Sequence, residues 1–512
     1  MSGQILDLSL APPPPLIEAD ICIIGSGSGG ATAARVLAEA GRDVVVLEEG
    51  ADYPGERLTQ RDGEMYSALY MDRGGRTTED LGVTVLQGRV LGGGGVINAS
   101  DVVPMPPGVR EHWRRKFALS ELTEERIAPY EKRALADLHA SRIPDAQVNR
   151  ANGLLKQGTE ALGLRGEVML HNRVGCAGLG TCLIGCPINA KKNPRFVAIP
   201  LALAAGARFY TRAQARRIRY ADQEFKRISV RVLESGGLRV IGQTEVRART
   251  VIVAANAIAS AELLLRSGIG NGHVGRHLML QPQLPITAVF PDKVVAFRGI
   301  PQSYAVTHFE TEDDPKHGLW GFRIEGVMGT PGMVGSLLPF TGAQGKVAMT
   351  EYDRIAAALL LVPDEPSGTV RVSSNGRLVI SYMQRENHKR RTLQALREAA
   401  RIYFAAGAER VIVPVAPPVT LTHPDQVEAL AGVSLRVASA PFISAHQQGT
   451  ARMAPSARDG ALDPAGRVYG ARGVYVFDSS GFPSSSSSHT MTPIMTMAHY
   501  FSDRLLAEAP AS

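Results

Sequence analysis

Apolar residues follow two rhythms along this chain, and the change from one to the other marks its organisation. Near the N-terminus a short apolar run at residues 20–24, unbroken after Asp20, is followed by glycines, by helical periodicity over 31–40, and by a second run at 43–47, unbroken after Asp43. Strand-length runs flanking a helix predict a βαβ unit with its parallel strands buried. The signature returns at 250–255, followed by a helix over 260–267 that closes at Gly268. From about residue 286 the pattern alternates. Residues 286–290, 320–327, 368–372 and 378–383 read as strands, 356–362 is the densest apolar run and is strand-sized, and 388–406 reads as a helix. Alternation of this kind predicts an antiparallel sheet. The last stretch returns to a buried strand at 474–477, a serine-rich turn and a closing helix at 494–507. Residues 52–115 are loop-rich, with glycines at 92–95, and 120–165 read as helices.

The expected fold class is therefore α/β joined to α+β, a Rossmann-type nucleotide-binding domain with an antiparallel-sheet substrate domain. The expected boundaries are an N-terminal arm at 1–18, a nucleotide domain at 19–285 with loop and cap insertions at about 52–200, a substrate domain at 286–440, and a return to the first domain at 441–512.

Composition narrows this little. The 512 residues are 44% hydrophobic and 21% charged, as in ordinary globular chains with room for two domains. The net charge of +7 comes from scattered arginines, and clusters such as 388–391 read as a solvated helix face. No nucleic-acid-binding motif accompanies them. The N-terminus has no basic region followed by a long apolar run, and no stretch approaches the ~20 apolar residues that span a bilayer. A cytoplasmic location with no transmembrane segment is the expectation. Four cysteines in such a chain do not read as a disulfide framework.

Candidate chemistry begins in the first turn. Gly25-Ser26-Gly27-Ser28-Gly29-Gly30 leaves a predicted strand and opens a predicted helix, and Glu48 ends the next strand. In such a loop Gly25 makes the tight turn, Gly27 lets backbone N–H groups approach a pyrophosphate, and Gly30 lets helix and strand pack closely. The helix N-terminus favours the phosphate charge, and Glu48 is placed to accept from a ribose hydroxyl pair. At the other end, His446 and His489 sit in glycine- and serine-rich turns without metal-ligand spacing. They read as a pair brought together by folding, with no metal expected.

Further motifs carry a family resemblance. Gly88-Arg89-Val90-Leu91-Gly92-Gly93-Gly94-Gly95-Val96-Ile97-Asn98 resembles the first signature of the glucose–methanol–choline (GMC) flavoprotein oxidoreductases. Residues 256–270 are similar to their second signature, and the strand leading to Asp478-Ser479-Ser480 is similar to the one that carries an acid to the flavin's ribityl-pyrophosphate. The landmarks stand in family order from about residue 18 to 508. The resemblance implies FAD as cofactor, and so an FAD-binding domain. It implies that Arg89, Gly92, Gly93 and Asn98 lie along the cofactor, with Asn98 near the isoalloxazine and Ala215 near the adenine. Asp478 and Ser479 would then lie by the ribityl-pyrophosphate. The backbone at Thr490 and Met491 would lie at the flavin's pyrimidine edge, where a helix N-terminus favours the negative charge of reduced flavin.

The family pairs a histidine with a second histidine or an asparagine, positions that His446 and His489 match. Oxidising an alcohol requires a base for the hydroxyl proton while hydride passes from the α-carbon to the flavin N5. Histidine suits the first task, and a second polar group aligns the alcohol oxygen. His446 is expected as principal base and His489 as its partner on the substrate oxygen, although the sequence leaves these roles interchangeable. Gln447 stands where many relatives have proline. Met328, Met333, Leu337, Leu338, Pro339 and Phe340 read as an apolar lining or lid, and hence favour an apolar alcohol.

The electron acceptor is expected to be oxygen or a redox partner. An FAD-containing lyase of the cyanohydrin type on the same scaffold is the first alternative. The second is a dehydrogenase subunit that relays electrons through an iron–sulfur cluster to a partner. That reading rests on Cys176, Cys182 and Cys186, the last followed by Pro187, because closely spaced thiolates can hold such a cluster. The same segment, continued by Lys191 and Lys192, also resembles a family loop in which the thiols are structural.

Overall fold

In the computed structural model, which describes residues 3–220, 223–314 and 319–508, the unbroken apolar runs become central strands. Leu16–Ile24 pairs in parallel with Val44–Leu47, Ile21 lying opposite Val44, and helix Ser28–Glu39 connects them. Residues 21–24 and 44–47 are buried throughout, as parallel strands covered by helices must be. The sheet has eight strands and continues through Arg208–Thr211 to Gln4–Asp7 at one edge. On the other side Leu16–Ile24 pairs with Val240–Val253, a strand long enough to hold two partners on its far edge. These are the antiparallel Lys226–Leu233 along its first part and the parallel Val474–Val476 along its last residues. Ala213–Arg219 completes that edge.

Two differences from the sequence reading have physical causes. The expected N-terminal arm at 1–18 is, over its described residues 3–18, part of the first sheet, because Gln4–Asp7 is an edge strand and the next strand already begins at Leu16. The prolines at 12–15 occupy the connection, where a missing N–H costs no ladder bond. The strands before residue 250 escaped notice because arginine and glutamine on their exposed faces interrupt the apolar run.

The alternating segments form a seven-stranded antiparallel sheet. Its order is Val419–Leu421, Arg410–Val413, Leu284–Val289, Ile355–Leu361, Arg323–Val327, Tyr304–Val306 and Gly166–Val168. The edge strand Gly166–Val168 comes from the insertion after the first βαβ unit, so that insertion supplies an edge of this second sheet. The strand expected over 320–327 is divided at Gly321, where φ is +43°. Leu319–Trp320 pairs with Glu312–Asp314, and Arg323–Val327 enters the large sheet. Helices Glu386–Ala405 and Arg150–Ala161 pack on this sheet.

Residues after 441 stitch the two layers together. Phe442–Ser444 pairs with Val83–Val85, Gln448–Thr450 pairs with Arg276–Met279 in a four-stranded sheet, and the closing helix Met491–Glu508 packs on Ser28–Glu39. Among the described residues no helix is long and apolar enough to cross a membrane.

Trp113, on helix Pro107–Lys116, pins the insertion to this return. It is fully buried against Phe482, and its Nε1 donates to Ser484 Oγ at 2.7 Å. Trp113→Ala should destabilise by about 3–5 kcal/mol, read as a fall in melting temperature, and Trp113→Phe should recover most of the loss.

Candidate active site

A cavity of about 1330 Å³ lies between the two sheets. One end is the turn after Leu16–Ile24, where Gly25, Ser26 and Gly27 meet Glu48. It passes Arg89 and Ala215, and the other end holds His446 and His489. Gly27 and Gly93 stand back to back in its wall. A Cβ on Gly93, whose φ is +58°, would lie 2.7 Å from the Gly27 Cα, so the wall here is bare backbone. Ser26 ties the two glycine turns together, its hydroxyl donating to Glu48 Oε2 at 2.6 Å and accepting from the Gly92 N–H at 3.0 Å. Glu48 Oε1 accepts from Gly50 N–H at 2.8 Å, and burial raises its carboxyl against these bonds. Gly30 packs behind the wall against the Gly25 carbonyl.

Asp478 and Ser479 line the same cavity, but their polar atoms are engaged by the protein. Asp478 Oδ2 accepts from Asn256 N–H (3.0 Å) and Ser260 Oγ (2.6 Å), and Oδ1 accepts from Ser480 N–H (2.8 Å) and the Ser480 hydroxyl. With its acceptor sites filled, Asp478 holds the Asn256 and Ser480 turns in place rather than reaching outward. Ser479 Oγ donates to the Gln447 carbonyl at 2.7 Å. Asn98 donates to Met491 Sδ at 3.3 Å, so the first signature touches the start of the closing helix, and Thr490 lies beside it in the wall.

The far floor is one face of the antiparallel sheet. Pro285 and Thr287 on one strand, and Ile355, Ala357 and Leu359 on its neighbour, are alternate residues and so point the same way. Helix Pro331–Leu337 adds Met333, Val334 and Leu337 to the wall, and neither it nor helix Gly342–Thr350, which follows it, buries a residue. Met328, Met333, Leu337 and Leu338 from this region line the cavity, whereas Pro339 and Phe340 do not.

His446 is held between strands Phe442–Ser444 and Gln448–Thr450. The Gln447 amide donates to the Ser444 carbonyl at 2.7 Å and accepts from Asn256 Nδ2 at 2.9 Å, so side-chain hydrogen bonds stiffen this turn. His489 follows a buried serine run and precedes the closing helix. The two ring centroids are 4.8 Å apart with planes at 65°.

Their surroundings differ sharply. Burial, reinforced by the neighbouring His489, pushes His446 down to about 3, which leaves it neutral. Its Nδ1 faces Gln281 Oε1 at 2.5 Å and Gln283 Nε2 at 2.9 Å. His489 Nε2 lies 2.9 and 3.1 Å from the two carboxylate oxygens of Glu325. Burial alone would lower His489, but the charge and hydrogen bond of Glu325, with Asp101 behind, outweigh it and hold His489 above its ordinary range. Glu325 is fully buried. The penalty of burial is overcome by His489 and by Arg323, whose Nε lies 2.5 Å away, and the carboxyl is held well below its usual range. Gln302 also donates to it.

Asp101 completes the cluster, lying with Glu325 and His489 within 4.8 Å of one another. Burial pushes it up to about 7, and its Oδ1 has no partner. Sequence reasoning found both histidines and missed these carboxylates. One signal was available: Arg323 and Glu325 lie two apart on a strand, hence on one face, where apolar residues would otherwise sit. Gln281 and Gln283 carry no such mark.

The three loop cysteines are free and partly exposed, and they do not converge as ligands. Among the described residues the one group with such geometry is Asp101, Glu325 and His489. Lys191 gives the loop another part. Its buried Nζ donates to the carbonyls of Val96 (2.7 Å), Asn98 (2.7 Å) and Cys182 (2.8 Å), and burial pushes it down to about 8. The cysteine loop is thereby bolted beneath the Asn98 turn.

Residues 66–283 and 364–498 match the N- and C-terminal family models of the GMC oxidoreductases, and 23–88 match an NAD(P)-binding Rossmann-like domain. A GMC-type oxidoreductase of Mycobacterium tuberculosis is 34% identical over 97% of this chain and 77% of its own length. This chain belongs to the GMC oxidoreductase family. A long-chain-alcohol oxidase of Arabidopsis thaliana is 27% identical over 96% of the chain and 68% of its own length. The fold is shared with pyridoxine 4-oxidase from Mesorbium loti, with a TM-score of 0.71 at 18% identity over 96% of this chain and 100% of that one. The cofactor of this GMC oxidoreductase is FAD. The bare-backbone wall at Gly27 and Gly93 fits an extended dinucleotide, and the buried acid Glu48 suits its ribose.

Gly93→Ala puts a methyl into that wall at a left-handed φ. The variant should purify with native far-ultraviolet circular dichroism but without the flavin absorbance that the parent protein retains.

Proposed function

We propose that this GMC oxidoreductase oxidises a long-chain or otherwise apolar alcohol to its carbonyl, with His446 as base and His489 as a fixed cation on the substrate oxygen. The observation that carries the reading is the histidine pair itself, its rings 4.8 Å apart and its pKa values pushed in opposite directions, at the end of an apolar-floored cavity. When bound, FAD supplies the acceptor for the alcohol's α-hydride. The residues of the chain supply the rest. A neutral His446 takes the hydroxyl proton, and a protonated His489, pinned by Glu325, steadies the oxygen as negative charge develops on it. Pro285, Ala357 and Leu359 below and Met333 and Leu337 above exclude water from that oxygen and favour a hydrocarbon chain over a sugar. The kinship to a long-chain-alcohol oxidase supports both the substrate class and oxygen as final acceptor.

Anaerobic mixing with a series of primary alcohols of increasing chain length tests this. Flavin absorbance should bleach, faster for longer apolar chains than for polyols. His446→Ala should slow bleaching by roughly 10²–10⁴-fold, the span typical of a lost general base, with the flavin retained. Bleaching by sugars alone would overturn the substrate class. A flavin that no alcohol bleaches would favour the lyase.

The charge states also set the pH dependence. His446 is lowered and must be unprotonated, so kcat/KM should fall in acid only well below the ordinary histidine range. His489 is raised and must be protonated, so the alkaline fall should lie above that range. Glu325→Gln should move the alkaline limb downward.

A further inference from the structure

Gln281 is fully buried and adopts a φ of +44°, a left-handed conformation that a residue with a side chain enters only at a cost. Its neighbours hold it there. Asp364 Oδ2 accepts from Leu280 N–H at 2.8 Å and from Tyr382 Oη at 2.8 Å, and the Asp364 carboxylate also accepts from the Gln281 N–H. From the other side Ser444 Oγ, two residues before His446, donates to the Leu280 carbonyl. The clamped backbone delivers Gln281 Oε1 to His446 Nδ1 at 2.5 Å.

An amide oxygen only accepts, so this contact requires the proton to sit on Nδ1 and leaves Nε2 as a lone pair. We infer that Gln281 is a positioning residue that fixes His446 in the Nδ1–H tautomer, with Asp364 and Ser444 holding Gln281 in its strained turn. The rival arrangement has Gln283 Nε2, 2.9 Å from the same nitrogen, donating to a bare Nδ1. That would put the proton on Nε2 and disable the base. The clamp that holds the Gln281 backbone favours Gln281. The inference deepens the proposed function and rests on His446 being its base.

The test is two-bond proton–nitrogen correlation on protein labelled with ¹⁵N-histidine, with the His446 signals identified by their loss in His446→Ala. Wild-type protein should show a protonated Nδ1 and an unprotonated Nε2 at neutral pH, and Gln281→Leu should lose that preference. The titratable groups acting on His446 are His489 and Glu325. Gln281→Glu adds a carboxylate at Nδ1, and should raise the His446 midpoint and the acid limb of kcat/KM together by at least one pH unit. A wild-type His446 protonated on Nε2 would overturn the inference without any variant. So would a tautomer unchanged in Gln281→Leu, or an acid limb unmoved in Gln281→Glu. The nitrogen spectrum does not depend on turnover. The expected tautomer in an enzyme that oxidises no alcohol would sink the functional reading alone, and the wrong tautomer in an active oxidase would sink this inference alone.

Discussion

A carboxylate buried away from water, Glu325, sets the terms on which the rest of this site assembles. An uncompensated charge in such a place costs several kcal/mol, so Glu325 must keep partners from more than one part of the chain. Arg323 comes from the same strand, Gln302 from the loop before the neighbouring strand, and His489 from the C-terminal return. Arg323 in turn reaches Glu310 and Glu167, so alternating charge runs from the cavity towards the sheet edge. The return segment and the antiparallel sheet are thereby obliged to meet. Removing either partner alone would leave a buried ion stranded, which is worse than never having had the pair.

That constraint also explains how two residues of one type do different work. His446 and His489 share a cavity wall and a buried setting but not the same neighbours. One faces neutral amides, the other a carboxylate. Environment drives their pKa values apart, the general way in which a pair of like groups becomes an acid and a base. Asp101, poised by burial near neutrality, adds a third group whose charge the cluster can adjust.

Much of the nucleotide half was legible in the sequence, because strands buried on both faces and a glycine turn leave an uninterrupted local signal. The 21–24 and 44–47 runs and the Gly25 turn all fall where the apolar pattern puts them. The long strand Val240–Val253 was only partly legible, since half of it is solvated on one face. The histidines were visible through the motifs around them. Glu325, Asp101 and Gln281 were not, because their importance comes from tertiary neighbours far away in sequence. The cysteine loop left two readings open, structural thiols and a ligand set. Among the described residues the thiols do not converge as ligands, and Lys191 ties the loop to the Asn98 turn.

Two short helices have an evolutionary consequence. Pro331–Leu337 and Gly342–Thr350 are short and bury nothing, and helices of that length have little stability of their own. They therefore contribute little to holding the protein together, while Met333, Val334 and Leu337 of the first helix line the cavity that a substrate chain would meet. Mutations there are free to reshape preference without endangering the fold. A lineage can explore new alcohols by drifting in these residues while the glycine wall and the buried ion pair stay as they are.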